Sequence, residues 1–143
     1  MEPGTLLLLH AAATWFMTGL IWFVQIVHYP LFARIGQTGY RDYQLAHQRL
    51  TTFVVGPAML IEAATAALIL LANYNAATGA ATGAALLAIA WASTAFLQVP
   101  MHNILSQGFN AKAHARLVQT NWIRTIAWSA RGALALYFLR ASS

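Results

Sequence analysis

Two arginine side chains lie inside an apolar segment that runs from Leu117 to Leu139. They belong to a set of four residues spaced by three, four and three positions: Asn121, Arg124, Trp128 and Arg131. On a helix, this spacing places all four side chains on one face. A guanidinium group inside a membrane is costly unless a carboxylate, a backbone carbonyl, water or a ligand accompanies it. The segment therefore predicts a buried polar site.

Glu62 is the acidic residue that can accompany these arginines, because it lies within another apolar segment. Counting residues from the same membrane surface and using the rise per residue of an α-helix, we expect the depths of Glu62 and Arg124 in the membrane to agree within about 5 Å. We therefore predict that Glu62 contacts Arg124 or Arg131. Two interpretations remain open: a purely structural ion pair, or a site in which the second arginine binds a carboxylate, phosphate or enolate.

Three histidines are predicted to meet at one end of the helices. His28 ends the first apolar segment, His47 precedes the second and His102 ends the third. Imidazole is a common ligand of iron, copper and zinc, so the three rings predict a transition-metal site. The alternative is that these histidines only hydrogen-bond to water and lipid headgroups.

The candidate site residues form three groups. They are Glu62, Arg124 and Asn121 as catalytic residues, Gln98, Arg131 and Trp128 as cofactor-binding residues, and His28, His47 and His102 as metal ligands.

The composition predicts the elements that must position these residues. The chain has 143 residues, of which 59% are hydrophobic and only 8% are charged, which excludes an ordinary soluble domain. Four apolar runs are each close to the length that spans a bilayer, at about Leu6–Val27, Leu50–Leu71, Ala80–Val99 and Leu117–Leu139. The prediction is a single all-α domain over residues 1–143, a four-helix transmembrane bundle. Cysteine is absent, which excludes disulfides and thiol chemistry.

Prolines and glycines predict the helix boundaries. Pro30 is expected to end the first helix, and Gly36 with Gly39 to break the following connection. From Tyr40 a short helix is then expected, which either lies at the membrane interface or leads straight into the second spanning helix. Pro57 should kink that helix, and Pro100 should end or bend the third.

The basic residues predict the orientation of the bundle. The connections at one end contain Arg34, Arg41, Arg49, Lys112 and Arg116, whereas the other end contains Arg140. The positive-inside rule places the first end in the cytoplasm and both termini outside it. This asymmetry accounts for the net charge of +5 without a nucleic-acid partner. The predicted location is the bacterial inner membrane, with the lipid bilayer as partner, and a homo-oligomer remains open.

Four motifs resemble a family of small bacterial four-helix integral membrane proteins. They are HYPLF at 28–32, VVGPAMLIE at 54–62, LQVPMH at 97–102 and TNWIRTIAW at 120–128. In the C-terminal half, the pairs Val-Pro-x-x-Asn and Asn-x-x-Arg are similar to anthrone-oxygenase-like membrane proteins. His10, Trp15 and Gly19 are similar to the first helix of small haem-binding membrane proteins such as four-helix protoporphyrinogen oxidases. The similarity to anthrone-oxygenase-like proteins implies oxygen-dependent chemistry. The similarity to the haem-binding proteins implies haem binding.

Two classes of function follow from these observations. The first is a metal-assisted membrane oxidoreductase or oxygenase that acts on a small lipophilic substrate, in a histidine-lined cavity open to the cytoplasmic side. The alternative is a non-catalytic bundle that binds a lipid, a quinone, haem or an anion, or serves as a partner subunit.

The orientation leads to a first prediction. A reporter fused after Ser143 should be active only when it is of a type that functions outside the cytoplasm, because the basic connections stay inside. A matched reporter inserted in the 104–116 connection should show the opposite preference. Activity of a cytoplasm-specific reporter at the C-terminus would reverse the assignment.

Overall fold

A computed structural model describes residues 2–72 and 77–141, without the side chains of residues 77 and 78. Within these ranges the chain forms four long helices and no strand. Helix α1 is Pro3–Arg34, α2 is Tyr40–Leu71, α3 comprises Ala77–Ser93, Thr94–Gln98 and Val99–Leu105, and α4 is Ala111–Ala141.

Three of the four helices, α1, α2 and α3, are long and apolar enough to cross a membrane. α4 does not meet the same criterion, because it contains the polar and basic residues of the 121–131 stretch. It packs instead along both α1 and α3, while α2 packs against the other sides of these two helices. The most polar of the four helices is thus shielded by its neighbours.

Neither Pro30 nor Pro100 ends its helix, which corrects the predicted end at Pro30 and excludes an end, one of the two alternatives, at Pro100. Each proline lies two residues after a π-helical turn, which spans Val24–His28 in α1 and Thr94–Gln98 in α3. After each turn the backbone N–H reaches a carbonyl five residues earlier, as Tyr29 does to Val24. A π-turn changes the local hydrogen-bond pattern, so the helix accommodates a residue that has no N–H and a bulky ring. Both helices therefore continue past their prolines.

The short interfacial helix predicted between the first two spanning helices is not confirmed. Tyr40 begins α2 itself, and this helix continues through Pro57 to Leu71. The predicted break at Gly36–Gly39 is confirmed, since it separates α1 from α2. Gly39 has a φ angle of +86°, which glycine adopts without steric strain.

Glycine also allows α1 and α4 to approach closely. A Cβ atom on Gly132 of α4 would lie 3.3 Å from Thr18 Oγ1 and 3.3 Å from a ring carbon of Trp15, both on α1. Small residues at such crossings are typical of helices that pack within membranes. This contact keeps the polar face of α4 against the centre of the bundle.

Candidate functional site

A buried ion pair joins α2 to α4. The Glu62 carboxylate accepts a hydrogen bond from Arg131 Nε at 2.9 Å and another from Trp128 Nε1 at 2.9 Å. Arg131 also donates from Nη1 to the backbone carbonyl of Gly83 on α3. All three side chains of this Glu62 cluster are at most 2% exposed. The predicted contact between Glu62 and one of the two arginines is confirmed, and the arginine is Arg131.

Arg124 remains as the second buried cation. It is 7% exposed, and no carboxylate lies within ion-pair distance of it among the residues that the structure describes. Its guanidinium carbon lies 5.3 Å from the ring centre of Trp128, in a cation–π contact. Its Nε atom is buried without a hydrogen-bond partner. The excess of one buried positive charge, predicted from the sequence, therefore persists in the fold.

Arg124 lines a cavity of about 250 Å³. Polar groups from all four helices line this cavity, and apolar side chains such as Val55 and Met59 form much of the remaining wall. The polar lining residues are Tyr29, His47, Gln48, Thr51, Thr52, Thr94, Gln98, His102 and Arg124. A mostly apolar pocket with a few convergent polar groups is typical of a small-molecule site.

The three predicted metal-binding histidines converge at one end of this cavity. The ring centres of His28 and His47 are 4.7 Å apart, and those of His47 and His102 are 5.2 Å apart. His28 Nε2 and His47 Nδ1 share a hydrogen bond of 3.0 Å, and Thr51 Oγ1 lies 3.1 Å from the same His47 nitrogen. The prediction that the rings meet is confirmed.

Their orientation is not that of a metal centre. Across residues 2–72 and 77–141, no group of three or more His, Cys, Asp or Glu side chains is arranged to hold a metal ion. The facing nitrogens of His28 and His47 bond to each other, and His102 Nε2 lies 3.0 Å from the Tyr29 hydroxyl. A shared ion would need these nitrogens about 2.0–2.2 Å from it, so the rings would have to rotate away from their present partners.

Tyr29 is a central residue of the site that the sequence did not single out. Its side chain is 4% exposed, its hydroxyl contacts His102, and the Arg124 guanidinium is close enough to interact with it. Its backbone carbonyl lies 2.8 Å from His114 Nε2, which joins α1 to the start of α4. A sequence signal was present, because Tyr29 lies between a π-turn and Pro30 in the HYPLF motif. π-turns often occur at functional positions.

Gln25 and Gln98 lie within the two π-turns and fix α4 between α1 and α3. Gln25 Oε1 accepts a hydrogen bond from Asn121 Nδ2 at 2.9 Å. Gln98 Nε2 donates to Thr120 Oγ1 at 3.0 Å, and its Oε1 accepts from Ser93 at 3.0 Å. Asn121 is fully buried and does not line the cavity, so its contacts suit a role in helix packing.

The candidate residues thus separate into two connected places. The cavity contains Arg124, Gln98, His47 and His102. Glu62 and Arg131 form the adjacent ion pair, and Trp128 connects the two places through its N–H and its ring face. His28 contacts His47 from outside the cavity wall.

Comparison with known proteins gave no match to a family model, a curated protein or a solved structure.

His10, on which the similarity to haem-binding proteins rests, lies in the half of α1 that precedes the π-turn. It is 6% exposed, and its Nδ1 shares a hydrogen bond of 2.8 Å with Thr65 Oγ1. The Thr65 hydroxyl also lies within hydrogen-bond distance of the Ile61 and Glu62 carbonyls. These contacts extend the polar interior of the bundle from the Glu62 cluster towards the N-terminal end of α1.

The ion pair leads to a second prediction. Glu62→Gln should lower the free energy of unfolding by about 3–5 kcal/mol, since it leaves the Arg131 guanidinium buried without a carboxylate. Combining it with Arg131→Gln should cost much less than the sum of the single changes, because the two side chains are in contact. Thermal unfolding in detergent measures these effects.

Arg124→Gln provides the matched control for this cycle, because Arg124 makes no ion pair with Glu62. The combination of Glu62→Gln with Arg124→Gln should be closer to additive. A larger coupling with Arg124 than with Arg131 would contradict the observed pairing.

Proposed function

We propose that this protein is an integral protein of the bacterial inner membrane that binds a small lipophilic molecule with an anionic oxygen. The ligand would occupy the 250 Å³ cavity, with its charged oxygen at Arg124. Carboxylates, phenolates and enolates are the groups that suit this position. All four helices would cross the bilayer, with the histidine end in the cytoplasm.

The single observation that carries this proposal is that Arg124 lines the cavity and has no carboxylate within ion-pair distance in the part of the chain that the structure describes. The only carboxylate within the bundle core of the described chain is already bonded to Arg131 and Trp128. A buried guanidinium with an unused N–H is stabilised when an anion enters, because charge-assisted hydrogen bonds strengthen in a low dielectric. The neighbouring Tyr29 hydroxyl can donate or accept a second hydrogen bond.

The size of the cavity limits the ligand. An apolar cavity of about 150 Å³ is filled by benzene. A cavity of about 250 Å³ therefore has room for one or two fused aromatic rings, or for an aliphatic chain of similar volume. Naphthalene derivatives are suitable probes, since the same ring can carry either an acid or a neutral polar group.

The proposal leads to a third prediction. 1-Naphthoate should bind the protein in lipid nanodiscs more tightly than 1-naphthalenemethanol, which has the same rings and no charge. Arg124→Gln should weaken naphthoate binding by about ten- to a hundredfold, because a hydrogen bond to a charged group contributes roughly 1.5–3 kcal/mol. It should leave binding of the alcohol nearly unchanged. Calorimetric titration, corrected with empty nanodiscs, measures both affinities.

Two glycines provide a matched test of the cavity itself. A Cβ atom on either Gly56 or Gly19 would meet no atom within 4 Å, but only Gly56 lines the cavity. Gly56→Leu should fill part of the cavity and weaken binding of both naphthalene compounds, whereas Gly19→Leu should not. Equal affinities for acid and alcohol in the unmodified protein, or unchanged binding in both Arg124→Gln and Gly56→Leu, would contradict the proposal.

A second candidate is the metal-assisted oxidoreductase or oxygenase inferred from the sequence. It is favoured by the adjacent rings of His28, His47 and His102, which would have to exchange their present hydrogen bonds for an ion such as iron, copper or zinc. Gln98 lies beside them at the same cavity and could orient a ligand or a bound water.

This candidate leads to a fourth prediction. Protein expressed with supplemented iron, copper and zinc should retain one of them in stoichiometric amount, and His47→Ala should release it, because His47 adjoins both other rings. His114→Ala is the control, since His114 contacts the Tyr29 carbonyl and lies outside the three-ring group. Mass spectrometry of the purified protein measures the content. Metal-free protein after supplementation would eliminate this candidate.

A further inference from the structure

We propose that the ligand reaches the cavity sideways from the bilayer, between α2 and α3, and not through the aqueous end of the bundle. This inference rests on the proposed function, because it concerns how a lipophilic acid reaches Arg124. It narrows the ligand class to acids that dissolve in the membrane.

The aqueous end is closed by a layer of aromatic rings in edge-to-face and tilted contacts. Phe32 is fully buried at its centre, 5.1 Å from the ring centres of both His28 and His47 and 6.2 Å from that of His102. Tyr29 adjoins Phe32 at 5.4 Å. No residue of the 35–39 or 106–110 connections lines the cavity, so the cavity stops at this layer.

Hydrogen bonds hold this end of the bundle together. Gln48 Nε2 of α2 donates to the His102 carbonyl of α3 at 3.2 Å. His114 joins α4 to the Tyr29 carbonyl of α1. To admit a ligand from the aqueous side, the ring layer and these contacts between helices would all have to separate.

The side between α2 and α3 is built differently. Thr52 and Gly56 on α2 and Thr94 and Val99 on α3 all line the cavity, and Thr52 and Val99 are also exposed at the surface of the bundle. The two threonine hydroxyls bond within their own helices, Thr52 to the Gln48 carbonyl and Thr94 to the Ala90 carbonyl, each at 2.8 Å. Their polar atoms therefore do not tie α2 to α3 at this level. We call Thr52, Gly56, Thr94 and Val99 the lateral opening.

The location of the lateral opening fits a ligand from the bilayer. Its residues lie inside the two segments that are apolar enough to cross a membrane, Tyr40–Leu71 and Gly79–Leu105. The large side chains beside it are Phe53 and Phe96, which are 71% and 77% exposed. Such exposure suits contact with lipid tails. A lipophilic acid that enters here meets the charge of Arg124 at the inner wall of the cavity.

The inference leads to a fifth prediction, about rates. Val99→Phe and Thr52→Phe should narrow the lateral opening and slow both uptake and release of 1-naphthoate by about tenfold, as expected when access requires rearrangement. Slower release is the decisive sign, because a variant that only weakened binding would release the ligand faster, whereas a narrowed route slows both directions. Val27→Phe is the matched control, since Val27 is a similarly exposed valine (39% against 46% for Val99) that does not line the cavity. Stopped-flow fluorescence of naphthoate in nanodiscs measures the rates.

Two further measurements separate the routes. At constant total naphthoate, the uptake rate should follow the mole fraction of naphthoate in the bilayer when the amount of lipid is varied. His28→Ala removes one ring from the aqueous layer, and His28 itself does not line the cavity. If the ligand enters laterally, this variant should not exchange naphthoate faster.

Faster exchange in His28→Ala together with unchanged rates in Val99→Phe and Thr52→Phe would overturn the lateral route while leaving the proposed function intact. Absence of naphthoate binding in the unmodified protein would instead remove the proposed function and the route together.

Discussion

The need to bury two guanidinium groups governs this bundle. An arginine at the centre of a membrane helix costs about 2.5–3.5 kcal/mol on insertion scales, so neither Arg124 nor Arg131 can face lipid. α4 accordingly lies against α1 and α3, with its charged face turned inward. The Glu62 carboxylate neutralises one of the two charges, and Trp128 contacts both arginine sites. The remaining charge at Arg124 has no carboxylate partner among the described residues, which is the reason for proposing an anionic ligand.

The two π-turns show how the backbone adapts to this arrangement. Each turn widens its helix just before a proline, and each contains a glutamine whose side chain reaches α4. Tyr29 follows the first turn, and His102 follows the second. The side chains of Tyr29 and His102 contact each other. The same local distortion therefore anchors the polar helix and positions the residues at the cavity end.

The sequence predicted those features that depend on helix periodicity and rise. The common face of Arg124 and Arg131, the matching depth of Glu62 and the convergence of three histidine rings all follow from these two quantities. The choice of Arg131 as the partner depends on the Gly83 carbonyl of α3 and the Trp128 N–H, and hence on packing between helices. Pro30 was predicted to end its helix, and Pro100 to end or bend its own, because proline interrupts the helical hydrogen-bond pattern. The π-turns that accommodate both prolines have no sequence pattern from which they could be predicted. Tyr29 was missed because its hydroxyl partner comes from another helix.

The order of the charges along the chain has a consequence for membrane insertion. α1, α2 and α3 are each apolar enough to enter a bilayer, whereas α4 alone falls short of the same criterion. Glu62 is synthesised before Arg131, so its carboxylate is already present when α4 leaves the ribosome. If α4 crosses the bilayer as proposed, Glu62 gives Arg131 a partner within the membrane, and the ion pair of the finished bundle also favours insertion of α4.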